Sequence, residues 1–169
     1  MTKLPPVRRI VTGHCPAGKA VVIIDDVPPV RGNPSGTSLF SLIWTTGSAP
    51  VDNDDETDGG KRKVDLTLPG GSVIRVLDML PGTVAPMHRT SSLDYGIVIS
   101  GAIELILDDG VTALAEPGSI VVQRGTIHSW RNPSPTETAR VAFVLLDAKP
   151  VTVDGVPLED IHPSLGLKP

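Results

Sequence analysis

Short apolar runs, each closed by glycine, proline or charged residues, make up most of the chain. Only residues 157–162 come close to the apolar spacing and capping residues of an α-helix. Many short strands between regular turns predict an all-β sandwich or barrel. Nine runs have the length of a β-strand: 19–26, 38–46, 72–79, 95–100, 102–107, 111–115, 119–123, 128–131 and 140–147.

Turn signals separate these runs. Asp109-Gly110, between two apolar runs, predicts a β-hairpin. The run at 19–26 is apolar enough to predict a buried strand. Residues 47–63 are polar and rich in aspartate, so we expect a surface loop there; the fixed ligand spacing of a calcium loop is absent. No internal repeat is visible, which favours one barrel rather than two.

Composition agrees with a folded domain rich in turns. The 169 residues suit one domain with extensions, and 40% of them are hydrophobic. The 17 glycines and 17 prolines exceed their usual combined share of roughly 12%. A single cysteine, Cys15, excludes an intrachain disulfide.

Charge and hydropathy narrow the expected location and partners. The net charge of −4 provides no basic surface for nucleic acid. No apolar run approaches the ~18 residues of a membrane span, and the N-terminus has no apolar signal-peptide core. We therefore expect a soluble cytoplasmic protein that binds a small molecule, without nucleic-acid or membrane partners.

Two segments, 82–94 and 117–132, carry the candidate chemistry. Each places a histidine beside turn residues at the edge of a predicted strand. If the two strands are neighbours, His88, Asp94 and His128 can face one cavity, and Thr90 shares the strand face of His88 because the two are two residues apart. The competing interpretation of Asp94 is a hydrogen-bonded turn residue.

These residues support two kinds of chemistry. Two imidazoles and a carboxylate can hold a divalent transition metal and leave positions open for substrate or water. Without a metal, the same three side chains, His88, Asp94 and His128, form an acid/base set for proton transfer. The residues alone leave both alternatives open.

The spacing of Gly82, His88 and Gly101 resembles the first motif of the cupin superfamily, and that of His128 and Asn132, after Gly118, resembles the second. The resemblance is most specific over 72–147, and extends to small single-domain cupins of bacterial and fungal secondary-metabolite gene clusters. It implies a double-stranded β-helix, or jelly roll, usually assembled as a homodimer.

The sequence departs from the motifs inside the site. Thr90 stands where the family has a second histidine, Asp94 where it has a glutamate, and Arg124-Gly125 where Pro-x-Gly is expected. In the family, three histidines and a glutamate commonly hold iron, manganese, nickel or zinc. The resemblance therefore implies one such metal, held by His88, Asp94 and His128, or none.

The resemblance also implies a division of the chain and roles for the site residues. We expect N-terminal strands and a loop at 1–71, packed on the barrel or a dimer partner, the barrel core at 72–149, and a C-terminal tail at 150–169. Thr90, Arg124 and Trp130 are the candidate substrate-binding residues. Arg124 suits a planar anion, with a surface ion pair as its alternative. Asn132 is expected to stabilise a turn.

Three functions follow as hypotheses. The first is an enzyme of secondary metabolism that performs non-redox proton transfer in an apolar pocket, as a dehydratase, isomerase, cyclase or decarboxylase. The second is a metal-dependent oxidoreductase, dioxygenase-like, with two histidines and one carboxylate as ligands. The third is a ligand-binding cupin without catalysis.

Overall fold

The computed structural model describes residues 4–161, and within that range the chain is all-β, with two single-turn 3₁₀ helices and no α-helix. The strands are β1 (Arg9–His14), β2 (Ala20–Asp26), β3 (Val30–Gly32), β4 (Ser38–Thr46), β5 (Ser72–Met79), β6 (Ser92–Ser100), β7 (Ile103–Ile106), β8 (Thr112–Ala115), β9 (Ile120–Arg124), β10 (Ser129–Arg131), β11 (Ala139–Asp147), β12 (Thr152–Val153) and β13 (Val156–Pro157).

Two antiparallel sheets enclose the core. The larger sheet has the order β3-β4-β5-β11-β6-β9, and the smaller has the order β10-β7-β8. Both contribute to one apolar cluster, with Leu77, Met79 and Val141 from the larger sheet and Ile103 and Trp130 from the smaller. The predicted all-β jelly roll is confirmed by this arrangement.

Most predicted strands are present, with shifted ends. The Asp109-Gly110 hairpin connects β7 and β8, and Asp109 adopts the left-handed φ of 54° that such a turn requires. Strand β6 begins at Ser92, three residues earlier than predicted, so Asp94 lies inside a strand rather than after a turn. The helix suggested for 157–162 is not present over 157–161, where Pro157 is the last residue of β13 and no helix follows. His162 lies outside the described residues.

The hairpin β1–β2 contradicts the prediction of a buried strand at 19–26. Val22 and Ile23 are 58% and 56% exposed. The reason is that β2 pairs only with β1, in a separate two-stranded sheet, and so it is not sandwiched between layers. Apolar composition indicated a strand correctly but not its burial.

Two strands of the N-terminal region belong to the barrel. Strands β3 and β4 belong to the larger sheet, and β4 pairs with β5 along its whole length with one bulge after Leu42. No helix among residues 4–161 has the length and apolar character needed to span a membrane.

Candidate functional site

A cavity of about 390 Å³ lies between the two sheets. We call it the barrel cavity. Its wall is mainly apolar, which strengthens electrostatic interactions among the polar groups that reach it. The apolar wall includes Phe40, Leu77, Met79, Trp130, Phe143 and Leu145, and the polar groups at the wall include Arg75, His88, Thr90, Asp94 and His128.

Strand alternation explains why charged side chains reach this cavity. On β5, Val73, Arg75 and Leu77 occupy alternate positions and are all buried. On β6, Asp94 is paired with Leu145 of β11 on one side and with Gln123 of β9 on the other. Opposed residues in a sheet point to the same face, so the Asp94 and Gln123 side chains meet.

His88 and His128 come together through a short antiparallel bridge. Each backbone N–H donates to the other residue's carbonyl, at 2.8 and 2.9 Å. The ring centroids lie 4.0 Å apart, and the His128 ring also meets Trp130 edge-on at 5.9 Å. This bridge brings segments 82–94 and 117–132 side by side at the two histidines.

His128 is neutral at physiological pH. Burial, and then the nearby His88, lower its pKa to about 4. Nδ1 lies 3.0 Å from the carbonyl of Thr126, which fixes the proton on Nδ1. The amide nitrogen of Gln123 lies 2.7 Å from Nδ1 and 2.8 Å from Nε2; since two donors do not bond each other, Nε2 is the acceptor of the Gln123 N–H.

Asp94 is a buried carboxyl, 6% exposed, inside the apolar barrel. Desolvation raises its pKa to about 6, although a hydrogen bond from Ser92 and the charge of Arg75 partly oppose that rise. Oδ2 lies 3.4 Å from the Gln123 amide nitrogen, while Oδ1 is buried without a hydrogen-bond partner among the described residues. A carboxyl of this kind exchanges a proton near neutral pH.

Gln123 is a functional residue that sequence reasoning missed. Its amide nitrogen lies between Asp94 and His128 and joins them into one connected set. The signal was available, because Gln123 is the polar residue that ends the apolar run 120–122 and alternates with the half-buried Val121.

Arg75 was also missed. It is 5% exposed, lines the barrel cavity, and donates from Nη2 to the carbonyls of Asp65 and Leu66, the latter at 2.9 Å. Nε has no hydrogen-bond partner in the described part of the chain. Burial lowers its pKa to about 10, so the guanidinium stays charged at neutral pH.

The three predicted substrate-binding residues have different placements. Thr90 is buried at the cavity wall, with Oγ1 2.8 Å from the Ser92 hydroxyl. Trp130 is 4% exposed, forms part of the wall and packs on Phe143. Arg124 is exposed on β9, next to the inward-facing Gln123, and it does not line the barrel cavity. Side-chain alternation along β9 therefore places Arg124, the predicted anion-binding residue, outside the barrel cavity.

Two further positions shape the site. Asn132 has the expected turn role, because its amide nitrogen lies within hydrogen-bond distance of the carbonyls of Met79 and Glu137, and its Oδ1 accepts from Ser134. Gly96 lies under the Phe143 ring, where an added Cβ would be 3.0 Å from Cε1. The missing side chain lets that ring lie back against the sheet.

The predicted metal ligands are only partly assembled. Between Leu4 and Ile161, no three His, Cys, Asp or Glu side chains are grouped as metal ligands would be. His88 and His128 are adjacent, but the Gln123 amide stands between His128 and Asp94. As arranged, the side chains do not fit a three-donor metal site, and a metal held by all three remains a prediction.

Comparison with known proteins gives concordant results. A family model described as a cupin domain matches residues 75–145. Phomopsin biosynthesis cluster protein C' of Diaporthe leptostromiformis is 40% identical over 87% of this chain and 82% of its own length. Oryzines biosynthesis cluster protein J of Aspergillus oryzae is 37% identical over 96% of this chain and 93% of its own.

A third relative has a functional name. The cupin-domain-containing oxidoreductase virC of Hypocrea virens is 37% identical over 88% of this chain and 79% of its own. Among solved structures, the cupin domain of Schizosaccharomyces pombe Cnp3 superposes with a TM-score of 0.53, covering 83% of this chain and 87% of that one. At 12% identity, that likeness concerns the fold alone.

Proposed function

Because the chain belongs to the cupin family, we propose that it is an enzyme of secondary metabolism whose reaction takes place in the barrel cavity. The reaction is a non-redox proton transfer on a small organic molecule: a dehydration, isomerisation, cyclisation or decarboxylation. The relatives named for the phomopsin and oryzines biosynthesis clusters support the metabolic setting.

The observation that carries this proposal is the connected set Asp94–Gln123–His128 at an apolar wall. Asp94, with its pKa raised to about 6, takes a proton from the substrate in its ionised form and returns it in its neutral form. His128 is a neutral imidazole whose Nε2 lone pair, in exchange for its contact with Gln123, accepts a hydrogen bond from a substrate hydroxyl or takes up a proton as charge develops. Gln123 donates its amide N–H groups to both side chains, holds them in position and does not ionise.

Turnover tests the proposal. Deleting the gene in its native host should cause the substrate to accumulate, and the purified protein should convert that compound. Asp94→Asn and His128→Ala should each lower kcat by about 10²–10⁴-fold, the usual contribution of a positioned acid or base. Product mass identifies a dehydration by the loss of water and a decarboxylation by the loss of carbon dioxide. Isomerisation and cyclisation both conserve mass and are distinguished by the NMR spectrum of the product.

The matched control is Tyr95→Phe, beside Asp94 but on the opposite face of β6. It should leave kcat within about twofold of the parent enzyme, as surface-like changes usually do. Undiminished turnover in both Asp94→Asn and His128→Ala would reject the assigned site. A compound that raises Tm but is never converted would identify a non-catalytic binding protein instead.

An oxidoreductase is the second candidate, favoured by relatives that carry that name, including virC and fogC. The adjacent His88 and His128 rings would supply two nitrogen donors, and Asp94 would complete the set only if Gln123 moved aside. This candidate predicts near-stoichiometric iron, manganese, nickel or zinc in purified protein, and conversion that stops on chelation. Metal-free protein whose conversion resists chelator would eliminate it.

A further inference from the structure

We propose that Arg75 is the anion-binding residue of the barrel cavity, and that the ligand is a largely apolar molecule carrying one planar anionic oxygen group. A carboxylate, a phenolate and an enolate share that chemistry. The inference deepens the proposed function by naming the substrate class of the same site, and it rests on the barrel cavity being the ligand site.

Arg75 is a buried cation that forms no direct ion pair with the described residues; the charges of Asp65 and Asp94 act on it only from beyond ion-pair distance. Among the ion pairs of residues 4–161, none includes Arg75, although it is only 5% exposed. The guanidinium is held instead by neutral acceptors, the carbonyls of Asp65 and Leu66. Buried charges in proteins are normally paired, so an unpaired one at a cavity wall indicates a missing anionic partner.

The guanidinium also retains donor capacity. Nη2 is used by the two carbonyls, which fix the side chain, whereas no hydrogen bond within residues 4–161 uses Nη1, which is not among the buried unpaired atoms. A guanidinium presents its donors in a planar fork that matches a planar oxyanion. Arg75 is therefore positioned in advance and incompletely satisfied, as a ligand-binding arginine is before its ligand arrives.

The apolar lining of the barrel cavity indicates the chemistry of the rest of the ligand. Leu66, Leu77, Phe143 and Leu145 line the barrel cavity together with Arg75 and are apolar. A compact inorganic anion would leave those surfaces uncovered, whereas an aromatic or alicyclic skeleton would fill them. The lining therefore favours an organic acid or an enolisable ring compound.

Binding of matched charged and uncharged probes tests the inference without turnover. The probes are offered at pH 8 to protein that carries Asp94→Asn, which serves as the parent protein in this test because ionised Asp94 would oppose an anion in the same cavity. Benzoate should bind it at least about tenfold more tightly than benzamide, since a charge-assisted hydrogen bond to Arg75 is available only to the anion. 4-Nitrophenolate and 4-nitroanisole form a second pair, which distinguishes phenolate from carboxylate recognition. Titration calorimetry measures all four dissociation constants.

Variants assign the preference to one residue. Arg75→Met should reduce the anion preference to less than about twofold while benzamide binding is kept, because charge is lost but apolar volume is retained. Arg75→Lys should keep part of the preference, since it keeps the charge and loses the fork. Arg124→Met is the matched control and should keep the full preference, because Arg124 lies outside the barrel cavity.

Four outcomes would overturn the inference: no binding of either charged probe to the parent protein, equal binding of charged and uncharged probes, full preference in folded Arg75→Met, or loss of preference in Arg124→Met. If Arg75→Met does not fold, a reduced preference in a folded Arg75→Lys supports the inference and an undiminished preference rejects it. The proposed function fails separately, when turnover survives Asp94→Asn and His128→Ala.

Discussion

At the scale of single residues, two buried titratable groups respond to pH in opposite directions. Asp94 has a pKa raised to about 6, so its neutral form is the one that the fold tolerates. Its contribution to stability is complete below the unfolded-state pKa and is lost as the pH rises through about 6. His128 has a pKa lowered to about 4, so its contribution is lost as the pH falls toward that value.

Asp94→Asn should remove the first of these effects. Between pH 4 and pH 7, the parent protein should lose stability relative to the variant by up to about 3 kcal/mol. The reason is that the pKa of Asp94 is about two units higher in the folded protein than in the unfolded chain, and each unit corresponds to 1.36 kcal/mol. Urea unfolding at a series of pH values measures the difference. Since His128 titrates in both proteins, subtracting the curves isolates the carboxyl, and parallel curves would contradict the raised pKa.

Residue chemistry could be predicted only in part. The types and spacing of His88 and His128 indicated a shared cavity, which their backbone bridge confirms. Gln123 and Arg75 were missed because each lies in or next to an apolar run. A single polar residue in such a run is usually exposed, and its burial becomes evident only when the inward face of the strand is known. Arg124 was predicted to bind an anionic group of the substrate because of its charge. Strand alternation places its side chain on the outer face of β9 instead.

At the scale of elements, Arg9 joins three parts of the N-terminal region. Its guanidinium donates to both carboxylate oxygens of Asp26 at 2.9 and 2.6 Å, to Asp58 at 2.8 Å, and to the Ile43 carbonyl at 3.3 Å. Asp58 in turn caps the 3₁₀ turn 59–61 by accepting from Gly60. One arginine thus ties the hairpin β1–β2 and this turn to β4.

Arg9→Met should loosen these elements together. We expect a loss of about 2 kcal/mol in the free energy of unfolding, because a buried charge network loses its centre and Asp58 is left without its arginine. Amide hydrogen exchange should accelerate in β1, β2 and the turn 59–61 more than in β5. Denaturant unfolding gives the stability change.

The neighbouring arginine provides the control. Arg8 makes an equally short pair with Asp25, at 2.7 Å, but both side chains are largely exposed, at 66% and 45%. Solvent weakens such pairs, so Arg8→Met should change stability little. Equal losses in the two variants would show that burial does not decide the strength of these contacts.

Element boundaries were less predictable than element types. Turn residues located the hairpins, yet β6 begins at Ser92 because its pairing with β11 and β9 extends over positions with no strong apolar signal. The exposed hairpin β1–β2 shows the reverse case, in which apolar residues form a strand that the described fold does not bury. Contacts with distant strands decide where β6 begins and whether β1–β2 is buried, and local sequence patterns do not reveal those contacts.

At the scale of the molecule, the barrel follows from the many short strands and glycine-rich turns, whereas the cavity does not. Which side chains enter the cavity depends on sheet order and register, and these are long-range properties. The homodimer expected from the family remains a prediction. The exposed Val22, Ile23, Ile120 and Val122 would be the surfaces to inspect first.

The contact between Gly96 and Phe143 has an evolutionary consequence. A single-nucleotide change from glycine to alanine would place a methyl group about 3.0 Å from the ring of Phe143, which lines the barrel cavity, and would force that ring to shift. A substitution at Gly96 would therefore change the space available in the barrel cavity without replacing Asp94, Gln123 or His128. In the enzyme proposed above, the size of the accepted molecule could thus change over generations while the reacting groups are inherited unaltered.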